Sequence, residues 1–239
     1  MTLTADPVRR SGTPIVEPGL PVAGLTAGLC AVLAAASLAG GRWGLAVALT
    51  VAQGLTAVGW FRLHGMWPAR QGIAAVALAG VVADLAVLGA GAVGLLGALG
   101  TYLVAVLVWQ TFRPSDPAER FYALTVLASG VVLAGLEASL LLGGHTPAAL
   151  LAVAVAVLLA ATPAPAAVAV AAALLLGATA GVLAGGPPVQ AVLVTVGALV
   201  GRRVASYDFP SRFVHFTAGV VLPVAVAAPL AWIGSALPL

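Results

Sequence analysis

Lysine and asparagine are both missing from this 239-residue chain, so all ten basic residues are arginine and no N-glycosylation sequon exists. Charge of either sign is scarce: ten arginines and seven acidic residues make up 7% of the chain. A soluble domain carries about 25% charged residues, enough to cover a solvated surface. Lipid must therefore be the main solvent, which excludes both a sizeable soluble catalytic domain and intrinsic disorder. The single cysteine, Cys30, has no intramolecular partner and excludes a disulfide scaffold. In an apolar run it reads as a buried small hydrophobe.

Other absences narrow the chemistry. Without lysine there is no glycine-rich phosphate loop of the usual kind. His64, His145 and His215 stand alone, so no metal-ligand spacing is present and neither a metal nor a cofactor is expected. The aspartate run of a CDP-alcohol transferase, the DxxxD of an aromatic prenyltransferase and the Gly-x-Ser-x-Gly of a serine hydrolase are all lacking. These gaps point away from an enzyme. The sequence pI near 9.8 does not imply nucleic acid, because the arginines sit where membrane topology would place them.

What remains is 62% hydrophobic, with a mean hydropathy of +1.15. Residues 1–18 are polar and proline-bearing and read as a flexible cytoplasmic tail; residues 19–239 read as one transmembrane helical domain. Apolar runs at about 20–40, 44–61, 72–90, 94–112, 120–142, 147–162, 165–184, 189–206 and 213–234 approach the ~20 residues that cross ~30 Å of hydrocarbon. Backbone amides in hydrocarbon must pair internally, so such runs are helices. The expected fold is all-α, a polytopic membrane bundle of about nine spans.

Arginine placement sets the orientation. With the N-terminus inside, Arg9, Arg10, Arg62, Arg70, Arg113, Arg120, Arg202, Arg203 and Arg212 all fall in the cytoplasm, and Arg42 alone falls outside. The positive-inside rule then favours N-in, C-out. Reading residues 147–184 as one crossing would put Arg202, Arg203 and Arg212 outside, so the break at Thr162–Pro165 separates two short helices. These are two full crossings or a re-entrant pair. Asp116-Pro117-Ala118-Glu119 marks a helix start with an Asp cap, and Tyr207-Asp208-Phe209-Pro210 a weaker one.

Three groups of residues are candidates for function. Asp84 and Glu137 are carboxylates inside apolar runs, where charge costs several kcal/mol. Gln53 and Tyr102 sit at comparable depth. They read first as interhelical glue, protonated or hydrogen-bonded carboxyls that tolerate replacement by amides. The alternative is a proton or cation site. Arg202 and Arg203, facing Arg212 across a tight loop, with His64, Trp67, Tyr207 and His215 nearby, form a basic inner rim suited to anionic lipid headgroups or an anionic partner. Gly177, Gly181 and Gly185, then Gly197 and Gly201, and Gly24 with Gly28, are spaced four apart like residues on close-packing helix faces. Such faces serve the bundle itself, other membrane subunits or a homo-oligomer.

Trp60-x-Arg62 to Pro68, a helix with Asp84, and Val108-Trp109-Gln110-x2-Arg113 before a Glu-bearing helix resemble uncharacterised polytopic membrane proteins of GC-rich actinobacteria. The resemblance spans roughly residues 40–145 and implies a bacterial plasma-membrane location but no activity. The sequence is read as a non-enzymatic structural or accessory component of a membrane assembly. A small proton- or cation-coupled transporter using Asp84 and Glu137 is the alternative, and a lipid-modifying membrane enzyme the third.

Overall fold

The computed structural model describes residues 18–65, 70–113, 117–206 and 212–237, and every regular element among them is helical. The chain runs through α1 (Leu20–Leu63), α2 (Arg70–Thr111), α3 (Pro117–Glu137), a 3-10 turn (Ala138–Leu141) and α4 (Thr146–Ala160). It continues through α5 (Ala166–Leu183), α6 (Pro188–Val204), the short α7 (Arg212–His215) and α8 (Ala218–Ala236). Five helical stretches are long and apolar enough to cross a membrane: Leu20–Leu63, Gly72–Thr111, Glu119–Leu141, Ala166–Leu183 and Phe213–Ala236. The outside of the bundle is itself apolar, with Leu38, Val93, Phe112 and Leu183 all largely exposed. A water-facing protein rarely presents so much contiguous apolar surface.

Straight helices of 44 and 42 residues would each run ~65 Å, about twice the hydrocarbon thickness. Neither α1 nor α2 is straight. Gly41 (φ 57°, ψ −144°) and Gly91 (φ 60°, ψ −142°) interrupt them in a region that glycine enters without steric cost. At both, the chain folds back on itself. A Cβ added to Gly44 would stand 2.5 Å from the Ala36 carbonyl oxygen, and one on Gly94 would collide with that of Ala86. Residues eight apart on one straight helix are ~12 Å apart. The Tyr102 hydroxyl also donates to the carbonyl of Ala75, 27 positions earlier, at 2.8 Å. Each long helix is thus a hairpin of two limbs, residues 20–40 and 42–63 in α1, and 70–90 and 92–111 in α2.

Polar contacts gather the turns at opposite ends of the bundle. Arg42 Nη2 donates to the Val87 carbonyl at 3.1 Å and so joins the two hairpin tips. Gln190, in the first turn of α6, donates both amide hydrogens, to the carbonyls of Gly144 and Ala231 at 2.9 Å each. That fastens the α3–α4 turn and the last turns of α8 to the start of α6. Elsewhere, Arg202 near the end of α6 donates to the Pro18 carbonyl at 2.6 Å, just before α1 begins. Leu63, Ala205, Val214, Ala218 and Leu222 form an apolar cluster with Trp60 and Val204. It packs the ends of α1 and α6 against α7 and the start of α8.

The spans expected at 120–142 and 213–234 are present as Glu119–Leu141 and Phe213–Ala236. The first ends in a 3-10 turn after Glu137, and the second holds a turn at Phe216–Thr217 between α7 and α8. Pro117 does open α3 with Glu119 in its first turn. Residues 1–17, with Arg9 and Arg10, and Trp67, Asp116, Tyr207, Asp208, Phe209 and Pro210 lie outside the described residues, as does the side chain of Arg212.

The glycines divide by role. Gly177, Gly181, Gly197 and Gly201 pack closely: a Cβ on Gly181 would stand 3.0 Å from the Cβ atoms of Ala152 and Ala191. One on Gly201 would strike the Leu222–Pro223 backbone where α6 crosses α8. Gly185 belongs elsewhere. It lies past the end of α5 at φ 88°, and a Cβ there meets nothing, so it serves the turn rather than a packing face. Gly24 and Gly28 are exposed, and a Cβ on either meets nothing among the described residues.

Candidate functional site

Three helices bring the candidate acids together. The second limb of α1 carries Gln53 and Thr56, three residues apart and so on one face. The first limb of α2 carries Asp84, and α3 ends on Glu137. All four side chains are buried: Gln53, Thr56 and Glu137 at 0% exposure and Asp84 at 3%. Thr56 Oγ1 donates to Glu137 Oε1. Asp84 lies within electrostatic range of Glu137, and Gln53 neighbours Asp84.

Local packing explains the placement. Gly80 lies one turn before Asp84, on the same face, and a Cβ there would stand 2.5 Å from the Gln53 amide carbon. Glycine at that position makes the room that Gln53 occupies beside Asp84. Glu137 sits where α3 gives way to the 3-10 turn, all four of whose residues are buried. A 3-10 turn is a common way for an α-helix to end.

The four residues form a polar layer between two apolar ones. On one side are Leu49, Ala83, Val87 and Ala138. On the other are Ala57, Val76, Ala79, Val131 and Ala134. The layer is incompletely satisfied: both amide atoms of Gln53, both carboxyl oxygens of Asp84 and Oε2 of Glu137 complete no hydrogen bond of normal geometry. Gln53 and Asp84 are therefore neighbours in contact range rather than a formed hydrogen-bonded pair. Most buried polar atoms in folded proteins are paired, and each unpaired one costs ~1–3 kcal/mol. Five such atoms in one layer form an oxygen-rich cradle that suits a proton or a small hard cation. Among the described residues no group of three or more His, Cys, Asp or Glu side chains is placed to hold a metal ion.

Tyr102 does not join this layer. Its hydroxyl is spent on the Ala75 carbonyl, and Ala75 is nine residues from Asp84, or ~13 Å along the helix. Thr56 does join it and carries no signal in the sequence that would have singled it out.

Of the arginine rim, the structure describes the side chains of Arg202 and Arg203. Arg202 is buried, at 7% exposure, and holds the Pro18 carbonyl, whereas Arg203 is exposed beside it. Arg212 opens α7. At the end of α1, His64 Nδ1 pairs with the Trp60 carbonyl at 2.9 Å, and the His64 carbonyl accepts from Tyr122 at 2.9 Å.

Taken with its apolar exterior, the molecule belongs to the class of all-α bundles whose helices are long and apolar enough to cross a membrane. No protein-family model, curated protein or solved structure matches the chain.

Proposed function

We propose that the chain is a multi-pass integral protein of a bacterial plasma membrane, and that the layer of Gln53, Thr56, Asp84 and Glu137 binds a proton or a small cation. The protein is then a small proton- or cation-coupled transporter. The carrying observation is that two carboxyls from α2 and α3 meet in one buried layer with three of their four oxygens unpaired. Interhelical glue would be expected to satisfy those atoms. A binding site leaves them for its ligand. In this reading the chain crosses nine times, N-in and C-out, with each limb of α1 and α2 crossing separately and α4 and α5 both spanning. The reversals at Gly41 and Gly91 and the arginine distribution support that count.

The test pairs two assays on Asp84→Asn and Glu137→Gln. Reconstituted in liposomes with a pH or sodium gradient, both variants should lose cation-dependent flux while keeping their thermal midpoint in detergent to within a few degrees. Wild-type protein without any flux over empty liposomes would remove the transporter reading.

A second reading, a non-enzymatic component of a membrane assembly, is favoured by one observation. Gly24 and Gly28 present a small-residue face that none of the described residues covers. Its expectation is the opposite one: both amide variants behave as wild type, and the full chain purifies with itself or with other membrane subunits.

A further inference from the structure

The layer of Gln53, Thr56, Asp84 and Glu137 offers oxygen but lacks most of what a metal ion requires. Its unpaired oxygens are Gln53 Oε1, Asp84 Oδ1 and Oδ2, and Glu137 Oε2. Hard metal ions take about six or more oxygens, and in many membrane transporters the carbonyls of unwound helix complete the set. Here the backbone is not free to do so. Non-helical backbone within α1 and α2 falls at Gly41 and Gly91, ~18 Å and ~10 Å along the helices from Gln53 and Asp84. Past the end of α3 the carbonyls are engaged. That of Leu136 accepts from Ser139 Oγ at 2.6 Å, and that of Leu140 from Thr146 Oγ1 at 3.1 Å. The Ser139 carbonyl accepts the amides of Leu142 and Gly143 at 3.0 and 3.3 Å. Space is short as well, since a methyl group on Gly80 would already collide with Gln53.

We infer that the ligand of this layer is the proton and not a metal ion, taken up on the carboxyls of Asp84 and Glu137. The inference rests on the cation-site reading above and names its ligand. Donors are what the layer lacks: four unpaired oxygens face one unpaired donor group, the Gln53 amide nitrogen. A proton on each carboxyl turns one acceptor oxygen into an O–H donor, which brings donors and acceptors close to balance. The step itself is simple: an O–H bond forms on a carboxylate oxygen with a proton from water and breaks again on release. Charge points the same way. Apolar side chains flank the layer, Leu49 and Val87 on one side and Val76 and Val131 on the other. Among the described residues, the titratable group that faces Glu137 is Asp84. Arg42 is held at the Val87 carbonyl, one turn beyond Asp84 toward the hairpin tip. Two carboxylates around a monovalent ion would leave net negative charge in apolar surroundings, a costly state. A divalent ion would balance that charge, but two carboxyls and an amide fall short of its ligand shell. Two carboxylic acids carry no charge and need no added volume.

The test is infrared spectroscopy of the full chain in an uncharged detergent at neutral pH, in sodium chloride or in choline chloride. Wild-type protein should show the carbonyl band of protonated carboxyls at equal strength in both salts. Asp84→Asn and Glu137→Gln should each lose part of that band, and the double variant should lose both parts. The salt comparison needs only wild-type protein, so it holds even where a variant fails to fold. A band weaker in sodium than in choline would show a metal ion displacing the proton and would overturn the inference. A missing band, or one that neither folded variant diminishes, would do the same. In liposomes, a pH gradient in sodium-free medium should drive proton flux, and a sodium gradient at equal pH should drive none. Flux under the sodium gradient alone would overturn the proton and leave the cation-site reading standing. A sodium-insensitive band that the substitutions remove, without flux under either gradient, would keep the proton and remove only the transporter.

Discussion

The Thr56 hydroxyl donates to the Glu137 carboxyl across 81 positions of sequence and ties the second limb of α1 to the last residue of α3. Among the described residues, the other carboxyl oxygens of the buried layer complete no hydrogen bond of normal geometry. Glu137 is held through Oε1, and its Oε2 is buried without a hydrogen-bond partner among the described residues.

Removing that donor should be costly. Thr56→Val keeps the shape and takes away the hydroxyl, leaving Glu137 with no hydrogen-bond partner. The expected loss is ~1–3 kcal/mol, read as a lower thermal midpoint in detergent. Thr56→Ser, which keeps the hydroxyl, should stay close to wild type. Equal midpoints for the valine and serine variants would show that the hydrogen bond contributes nothing.

Gln190 gives a second, independent case. Its amide group bridges two backbone carbonyls, those of Gly144 and Ala231, that belong to different parts of the chain. Gln190→Leu leaves both acceptors without this donor. Hydrogen bonds between membrane helices average ~0.6 kcal/mol and reach ~1.7, so a combined loss of about 1–3 kcal/mol is expected. Accelerated proteolysis in the 143–145 turn should accompany it, because this contact holds the turn to α6 and α8. Unchanged cleavage there would mean that packing alone fixes the turn.

These two side chains also mark where sequence reading stops. Asp84 and Glu137 are visible in the sequence because acids stand out in apolar runs. Their meeting is not visible, since it depends on how α2 and α3 turn against α1. Thr56 is hidden for a different reason. Threonines in helices commonly bond their own preceding turn, as Thr50 does to Ala46 and Thr195 to Ala191, and nothing in sequence separates Thr56 from those. Tyr102 shows the reverse failure. Matching depth suggested the site, but its hydroxyl finds a nearer acceptor within its own hairpin. The reversals at Gly41 and Gly91 were legible because both fall in glycine-rich interruptions between apolar runs. The break before α8 was not, because Phe216 and Thr217 carry no turn signal.

Glycine spacing needs the structure to be interpreted. Gly201 and Gly28 sit in similar four-residue patterns, yet one faces backbone and the other faces outward. Gly201→Ala drives a methyl group into the Leu222–Pro223 backbone, which cannot rotate aside. It should cost at least the ~1–3 kcal/mol typical of overpacking. Gly28→Ala should change stability by no more than about 0.5 kcal/mol. Comparing the two midpoints checks the assignment directly. A Gly28→Ala variant that loses a native oligomer at unchanged monomer stability would place that face at a subunit interface. Similar midpoints for Gly201→Ala and wild type would contradict the close α6–α8 crossing.

The crossing count gives the last prediction. If each limb of α1 and α2 spans separately, Arg42 at the first hairpin tip lies outside, and the residues around Arg62 and Arg203 lie inside. Arg42 has a structural reason to be the exception to the arginine pattern. It donates to the Val87 carbonyl, one of the acceptors left open as the first limb of α2 ends. Single cysteines placed at Gly40, Gly144 and Ser235 in a Cys30→Ala background should therefore react with a membrane-impermeant maleimide in intact cells. Cysteines at His64, Thr162 and Ser206 should react only after the membrane is permeabilised. Cys30 is buried and should itself stay unlabelled in folded protein. If α4 and α5 form a re-entrant pair entered from the outside, Thr162 never reaches the cytoplasm and labels from outside or not at all. If α1 crosses once as a single tilted helix, Gly40 lies within the bilayer and labels under neither condition. Labelling at His64 in intact cells would reverse the orientation, and with it the inner-leaflet placement of Arg202 and Arg203.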